Sequence, residues 1–233
     1  LLPRRINFSP FCWGRLPARS CDTERRAYIW NRRSSCSWQR EASNMKIGVL
    51  ALQGAFAEHE KVLTALGAEV KEIRQLRDFD DGFDGIIIPG GESTVMGKLL
   101  RELGLFEPVS EYIKNGGYCF GTCAGLILLA EEVSNDDRKN FCTLPVRVKR
   151  NAYGRQLGSF SCKEDFAGRE ITQVFIRAPY IEKVLDDECQ VLSQHEGFIT
   201  GVRYKNQLAA AFHPELTDDR TVHQYFLDMI SGK

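Results

Sequence analysis

The chain has 233 residues, 43% of them apolar and 27% charged, with a formal net charge of zero, which suffices for one sizeable core and at most a small appendage. No run approaches the roughly 18 apolar residues a spanning helix needs, and there is no secretory signal pattern. The charge average conceals a division at Asn44/Met45: residues 1–44 hold nine Arg, no Lys and three acids, a net of +6, leaving 22 − 28 = −6 for the remainder. A net-acidic body argues against nucleic acid, whose phosphates need a basic face.

The first 44 residues also carry all three Trp and three of the eight Cys, without apolar periodicity. An Arg-rich, acid-poor leader is similar in composition to an organellar transit peptide, but no amphipathic stripe here is long enough for a helix. The expectation is that 1–44 is a leader outside the fold, disordered or artefactual, and that one domain runs from Met45 to Lys233. Its five cysteines (119, 123, 142, 162, 189) are odd in number and lack paired spacing, which fits a reducing, cytoplasmic setting rather than a disulfide framework.

From Met45 onward, strand and helix signals alternate, the pattern of a parallel sheet with helices on its faces. Ile47 to Leu52 reads as a strand, Ala57 to Leu66 as a helix and Glu69 to Ile73 as a strand. Gly85-Ile86-Ile87-Ile88 reads as a buried central strand ending at Pro89-Gly90-Gly91. Ser93 is the expected cap of a helix bearing Val95, Met96, Leu99, Leu100 and Leu103, and another helix spans about Pro108 to Lys114. A short strand Tyr118-Cys119-Phe120 then leads through a glycine-flanked turn into an apolar helix, Ala124 to Ala130. The second half reads as added, partly antiparallel strands: Leu144 to Lys149, Ile171 to Arg177, Phe198 to Tyr204 and Leu208 to Phe212, with a turn at Lys205-Asn206-Gln207. A helix from about Asp218 closes the chain, with Val222, Tyr225, Phe226, Met229 and Ile230 at helical spacing.

Gly121-Thr122-Cys123-Ala124-Gly125 has the G-x-nucleophile-x-G form of an elbow, in which small neighbours permit a strained turn that exposes the side chain at its tip. Cys123 then stands at a helix N-terminus, which favours thiolate, and the Ala124 N–H points toward a developing oxyanion. The bland alternative is a structural thiol; Cys119, inside the apolar strand, is read that way. In His213-Pro214-Glu215, an extended backbone would put imidazole and carboxylate on one face, so that Glu215 orients the ring while its other nitrogen moves the thiol's proton. His59, His195 and His223 lack such an orienting partner in sequence and are read as structural. Pro89-Gly90-Gly91-Glu92-Ser93-Thr94 ends a central strand, where open α/β sheets bind ligands; without a G-K-[ST] ending and with Glu92 in it, the loop suits a zwitterionic amino acid better than a phosphate. An amino-acid carboxylate calls for a guanidinium fork, with Arg150 and Arg177 as candidates; Arg147, Lys149 and Arg155 read as a solvated face. Cysteine and histidine spacings suggest no metal site, and no cofactor fingerprint is present.

On these residues the chain resembles the class I glutamine amidotransferases, and closely the glutaminase subunits of pyridoxal 5′-phosphate synthase. The resemblance covers about 45–230 and rests on Ile47 to Phe56, Pro89 to Thr94, Phe120 to Gly125, Arg150-Asn-Ala-Tyr-Gly-Arg-Gln156, Ile176 to Pro179 and Ala211 to Asp218. It implies a three-layer, doubly wound α/β fold, mostly parallel with added antiparallel strands. It also implies that a triad of Cys123, His213 and Glu215 hydrolyses L-glutamine without a cofactor. Gly91, Glu92, Ser93, Arg150, Ile176 and Arg177 would hold the substrate, and Ala124 with Gly91 the oxyanion. Ammonia would pass to a separate, barrel-shaped synthase subunit whose docking controls hydrolysis. Tyr118-Cys119 and Ser161-Cys162-Lys163 depart from the usual residues, away from the triad. A glutaminase serving imidazole or purine synthesis is the enzymatic rival, disfavoured by Gln53 to Phe56 and Arg150 to Gln156; a binding module with an idle elbow is the other.

Overall fold

The computed structural model describes residues 45–80, 82–150 and 158–232; the expectations for the leader 1–44 and for Asn151 to Gln156 lie outside them. Strands β1 (Lys46–Leu50), β3 (Gly85–Ile88) and β4 (Tyr118–Thr122) are almost wholly buried. Short unbroken apolar runs become strands here because a parallel sheet is covered on both faces. The charged β2 (Glu69–Ile73) forms the edge beside β1, where half-exposed Glu and Lys keep a strand border soluble.

The helices are α1 (Phe56–Ala65), α2 (Ser93–Glu102), α3 (Phe106–Lys114), α4 (Ala124–Leu129) and α5 (Thr221–Ser231). The parallel half has the order β2-β1-β3-β4-β12, with β12 spanning Gln207–Ala210. The chain steps from β1 outward to β2, then back past β1 to β3 and β4. Right-handed crossovers therefore put α1 on one face and α2 and α3 on the other. All six residues of α4 are buried, as expected of a helix that is apolar all round. The sheet reverses direction between β1 and β3, the switch point at which such sheets open a crevice beyond their strand ends.

Beyond β12 the sheet turns mixed. It continues through β11 (Phe198–Tyr204), β9 (Tyr180–Val184), β6 (Leu144–Lys149) and β5 (Ala130–Val133), with β10 (Gln190–His195) also paired to β11. A separate antiparallel hairpin joins β7 (Ser159–Phe166) to β8 (Arg169–Ile176). This is the expected mostly parallel α/β sheet with antiparallel additions.

Several local expectations are corrected. Strands β5, β7, β9 and β10 were not anticipated, because their polar alternation imitates a loop. His195 ends β10, and Glu196-Gly197 with φ 48° and 83° is the two-residue turn into β11. The cap of α2 is Glu92, not Ser93; its carboxylate accepts from the N–H groups of Thr94 (3.1 Å) and Val95 (2.8 Å). Among the described residues, no helix is long and apolar enough to cross a membrane.

Candidate active site

The carboxyl ends of four parallel strands bring together the groups singled out above. β1 leads to Gln53, β3 to Gly90 and Gly91, β4 to Cys123, and β12 to His213. Cys123 has φ 46° and ψ −95°, a strained conformation for a residue with a Cβ. What holds it is the tight join of β4 to α4: the Cys123 N–H donates to Ala210 O (2.8 Å), and its carbonyl accepts from Ile127 (3.2 Å). The glycine at the end of the motif is required sterically, since a Cβ on Gly125 would lie 2.1 Å from Ile88 O. The tip is not open as the elbow analogy suggests. Cys123 is only 6% exposed, and its thiol interacts with the His213 ring.

His213 Nδ1 lies 2.7 Å from Glu215 Oε1, both residues buried. The expected pairing is present, but its backbone cause differs. Pro214–Leu216 is a turn of 3-10 helix with His213 as its cap, so a tight turn and not an extended strand brings the carboxylate under the ring. The His213 N–H is fixed by Val174 O on β8 (2.8 Å). Its ring lies so close to the loop after β3 that a Cβ on Gly90 would come within 2.2 Å of Cε1. Burial opposes the imidazolium, but the hydrogen bonds to Cys123 and Glu215 prevail and raise the His213 pKa to about 10. Burial likewise opposes the Glu215 carboxylate, and the neighbouring histidines, His59 first, hold its pKa below the usual value.

The loop after β3 is pinned from β1: the Glu92 N–H donates to Gln53 Oε1 (2.9 Å), and the Ala55 N–H to Gly90 O (3.3 Å). Arg150 reaches this loop from the end of β6. Its Nη2 lies 3.2 Å from Glu92 Oε1 and 3.3 Å from Thr94 Oγ1, and its Nη1 pairs with Asp136. Arg147, read as part of a solvated face, is exposed and pairs with Glu132 (2.6 Å) at the surface. Ile176 ends the strand that anchors His213, and Arg177 follows it. Both are exposed, and Arg177 has φ 43° with its N–H donating to Gly158 O (2.7 Å). Cys119 is fully buried in β4, and burial raises its thiol pKa well above the ordinary value.

Of the residues read as structural, His59 turns out to face the candidate triad, and His223 stands behind it. His59 on α1 and His223 on α5 are fully buried; His59 Nε2 faces Glu215 Oε2 at 3.4 Å, and His59 Nδ1 meets His223 Nε2 at 2.9 Å. A histidine on the otherwise apolar face of each helix was the available signal. His195 also has a partner, Glu164 (2.8 Å). Among the described residues, one group could offer a metal three ligands: Cys162, Glu164 and His195, with donor atoms within 4.8 Å of one another. Spacing could not reveal it, because its members lie on two different strands.

The α/β sheet carries a thiol, an imidazole and a carboxylate beyond its strand ends, the arrangement expected of a glutamine amidotransferase. A crystal structure of a glutamine amidotransferase is 41% identical with a TM-score of 0.75, covering 79% of this chain and 98% of that one. PurLQS from Thermotoga maritima, 15% identical with a TM-score of 0.56 over 81% and 96% of the two chains, shares the fold. The chain belongs to the SNO glutamine amidotransferase family, which matches residues 49–232. It is 58% identical over 189 residues to the pyridoxal 5′-phosphate synthase subunit PdxT of Desulfitobacterium hafniense, covering 81% of this chain and 94% of that protein. It is 51% identical to the PdxT of Bifidobacterium longum, over 78% and 99% of the two.

Proposed function

We propose that this chain is the glutaminase subunit of a pyridoxal 5′-phosphate synthase, hydrolysing L-glutamine to L-glutamate and ammonia for vitamin B6 synthesis. The observation that carries the chemistry is the buried 2.7 Å contact between His213 and Glu215 beside a thiol on a strained turn. The Cys123 sulfur attacks the side-chain amide carbon of glutamine, and the N–H groups of Ala124 and Gly91 receive the oxyanion. His213, kept protonated by Glu215 and the sulfur, gives its proton to the departing nitrogen, releasing ammonia and leaving a γ-glutamyl thioester. Water, deprotonated by the now neutral ring, cleaves the thioester to glutamate, which frees the Cys123 sulfur and leaves His213 protonated again.

Arg150, held at the loop by Glu92 and Asp136, receives the substrate carboxylate through its planar fork. Gly91, Glu92, Ser93, Ile176 and Arg177 complete the glutamine pocket. The partner is a barrel-shaped synthase subunit that takes up the ammonia, and the pair works in the cytoplasm. The catalytic domain starts at Met45, and residues 1–44 take no part in the reaction. Ammonia release from glutamine, measured with and without the synthase subunit, tests the assignment: synthase-stimulated release supports it, and no release in either case refutes it.

A further inference from the structure

Glu215 is gripped from two sides. Its Oε1 holds His213, while Oε2 is buried without a hydrogen bond, with His59 Nε2 3.4 Å away. His59 Nε2 also lies 3.2 Å from Thr122 Oγ1, the residue immediately before Cys123. Behind His59 stands His223, with Nε2 2.9 Å from His59 Nδ1 and its own Nδ1 buried and unpartnered. The two rings come from opposite ends of the domain, 164 residues apart.

These contacts fix where the protons lie. Burial lowers the pKa of both rings, so both are neutral, each with one N–H. A buried N–H without an acceptor is costlier than a bare ring lone pair. The unpartnered Nδ1 of His223 is therefore its lone-pair nitrogen, and its Nε2–H donates to His59 Nδ1. His59 must then carry its proton on Nε2, facing Glu215 Oε2 and Thr122 Oγ1. The opposite arrangement would aim a lone pair at a carboxylate. Besides Glu215 and His223, the titratable groups acting on His59 are His213 and Glu58, and the edge of Phe120 closes its other side.

We propose that His59, locked in one tautomer by His223, is a positioning residue that holds the Glu215 carboxylate against His213 and ties it through Thr122 to the elbow. The inference rests on the triad reading above, but its own test does not. Long-range proton–nitrogen spectra of the full chain, labelled at its four histidines, report each tautomer directly. His59 and His223 should both be neutral with the proton on Nε2; a proton on His59 Nδ1, or a cationic His59 at neutral pH, would overturn the proposal.

Kinetics with the synthase subunit present supply the second arm. His59→Leu removes the ring that faces Oε2 and helps hold the Glu215 pKa down, so Glu215 protonates at higher pH. The acidic limb of kcat/KM should move up by about one unit and kcat should fall about tenfold or more, with KM within about twofold. His59→Gln, which restores an N–H, should recover part of both. A purely structural role would lower the folded fraction while leaving the limb in place, and that result would also overturn the proposal. If His59→Leu does not fold, the tautomers of the unaltered protein decide. An inactive wild-type protein would refute the triad reading without touching the tautomers.

Discussion

The parallel half of the sheet and its antiparallel extension hold their side chains at the candidate site by different means. Cys123 and His213 stand at the ends of buried parallel strands, fixed by backbone hydrogen bonds and by contacts so close that Gly125 and Gly90 admit no Cβ. Arg150 comes from the extension and is fixed by charge, through Asp136 and Glu92 at a partly exposed surface; Ile176 and Arg177 lie exposed at the end of the hairpin. Steric fixing leaves little slack, so small changes in the parallel half should cost turnover or folding. Ion pairs at a surface are weak and adaptable, so changes in the extension should cost substrate affinity.

The sharpest break of this contrast is His213→Ala, expected to lower kcat/KM by roughly 10³-fold or more in an assay with the synthase subunit. Loss confined to KM would move His213 into the binding class. Next comes Gly125→Ala, whose methyl would sit 2.1 Å from Ile88 O. Overpacking at the elbow should cost about 3 kcal/mol, seen as a Tm lower by roughly 6–12 °C; an unchanged Tm would mean that the elbow yields more easily than its contacts imply. In the extension, Arg150→Ala should reduce kcat/KM by roughly ten- to a hundredfold, mainly through KM, and Arg150→Lys should recover part of it. If both variants keep the wild-type KM, Arg177 is the better candidate for the carboxylate. The smallest effect is expected from deleting residues 1–44: Tm and synthase-stimulated ammonia release should stay nearly unchanged, and a large loss of either would show that the segment packs or regulates.

The same contrast explains what could be read in the sequence. Ile86-Ile87-Ile88 and Leu208 to Phe212 announce themselves because a strand covered on both faces must be apolar throughout, and the motifs sit at their ends. β7, with Ser159, Ser161, Lys163 and Asp165 alternating outward, and β10, with its glutamines and a buried Ser193, carry no unbroken apolar run and imitate loops. Their two-residue turns, Ala167-Gly168 and Glu196-Gly197, were the legible sign, each with both φ values positive. The 3-10 turn under His213 was not readable, since Pro214 suits an extended segment equally well. Nor were the contacts of His59 and His223, which depend on how two helices lie against the sheet rather than on any spacing.

The central claim is that glutamine is cleaved through a covalent bond to Cys123, and a diazoketone analogue of glutamine tests it most directly. The complex of the full chain with the synthase subunit is incubated with the analogue, and the alkylated peptide is identified by mass spectrometry while ammonia release is followed. The prediction is one label per chain, on Cys123, appearing in step with the loss of ammonia release, with Cys119 inside β4 unlabelled. A stoichiometric label elsewhere, or undiminished ammonia release from protein fully alkylated at Cys123, would contradict the account.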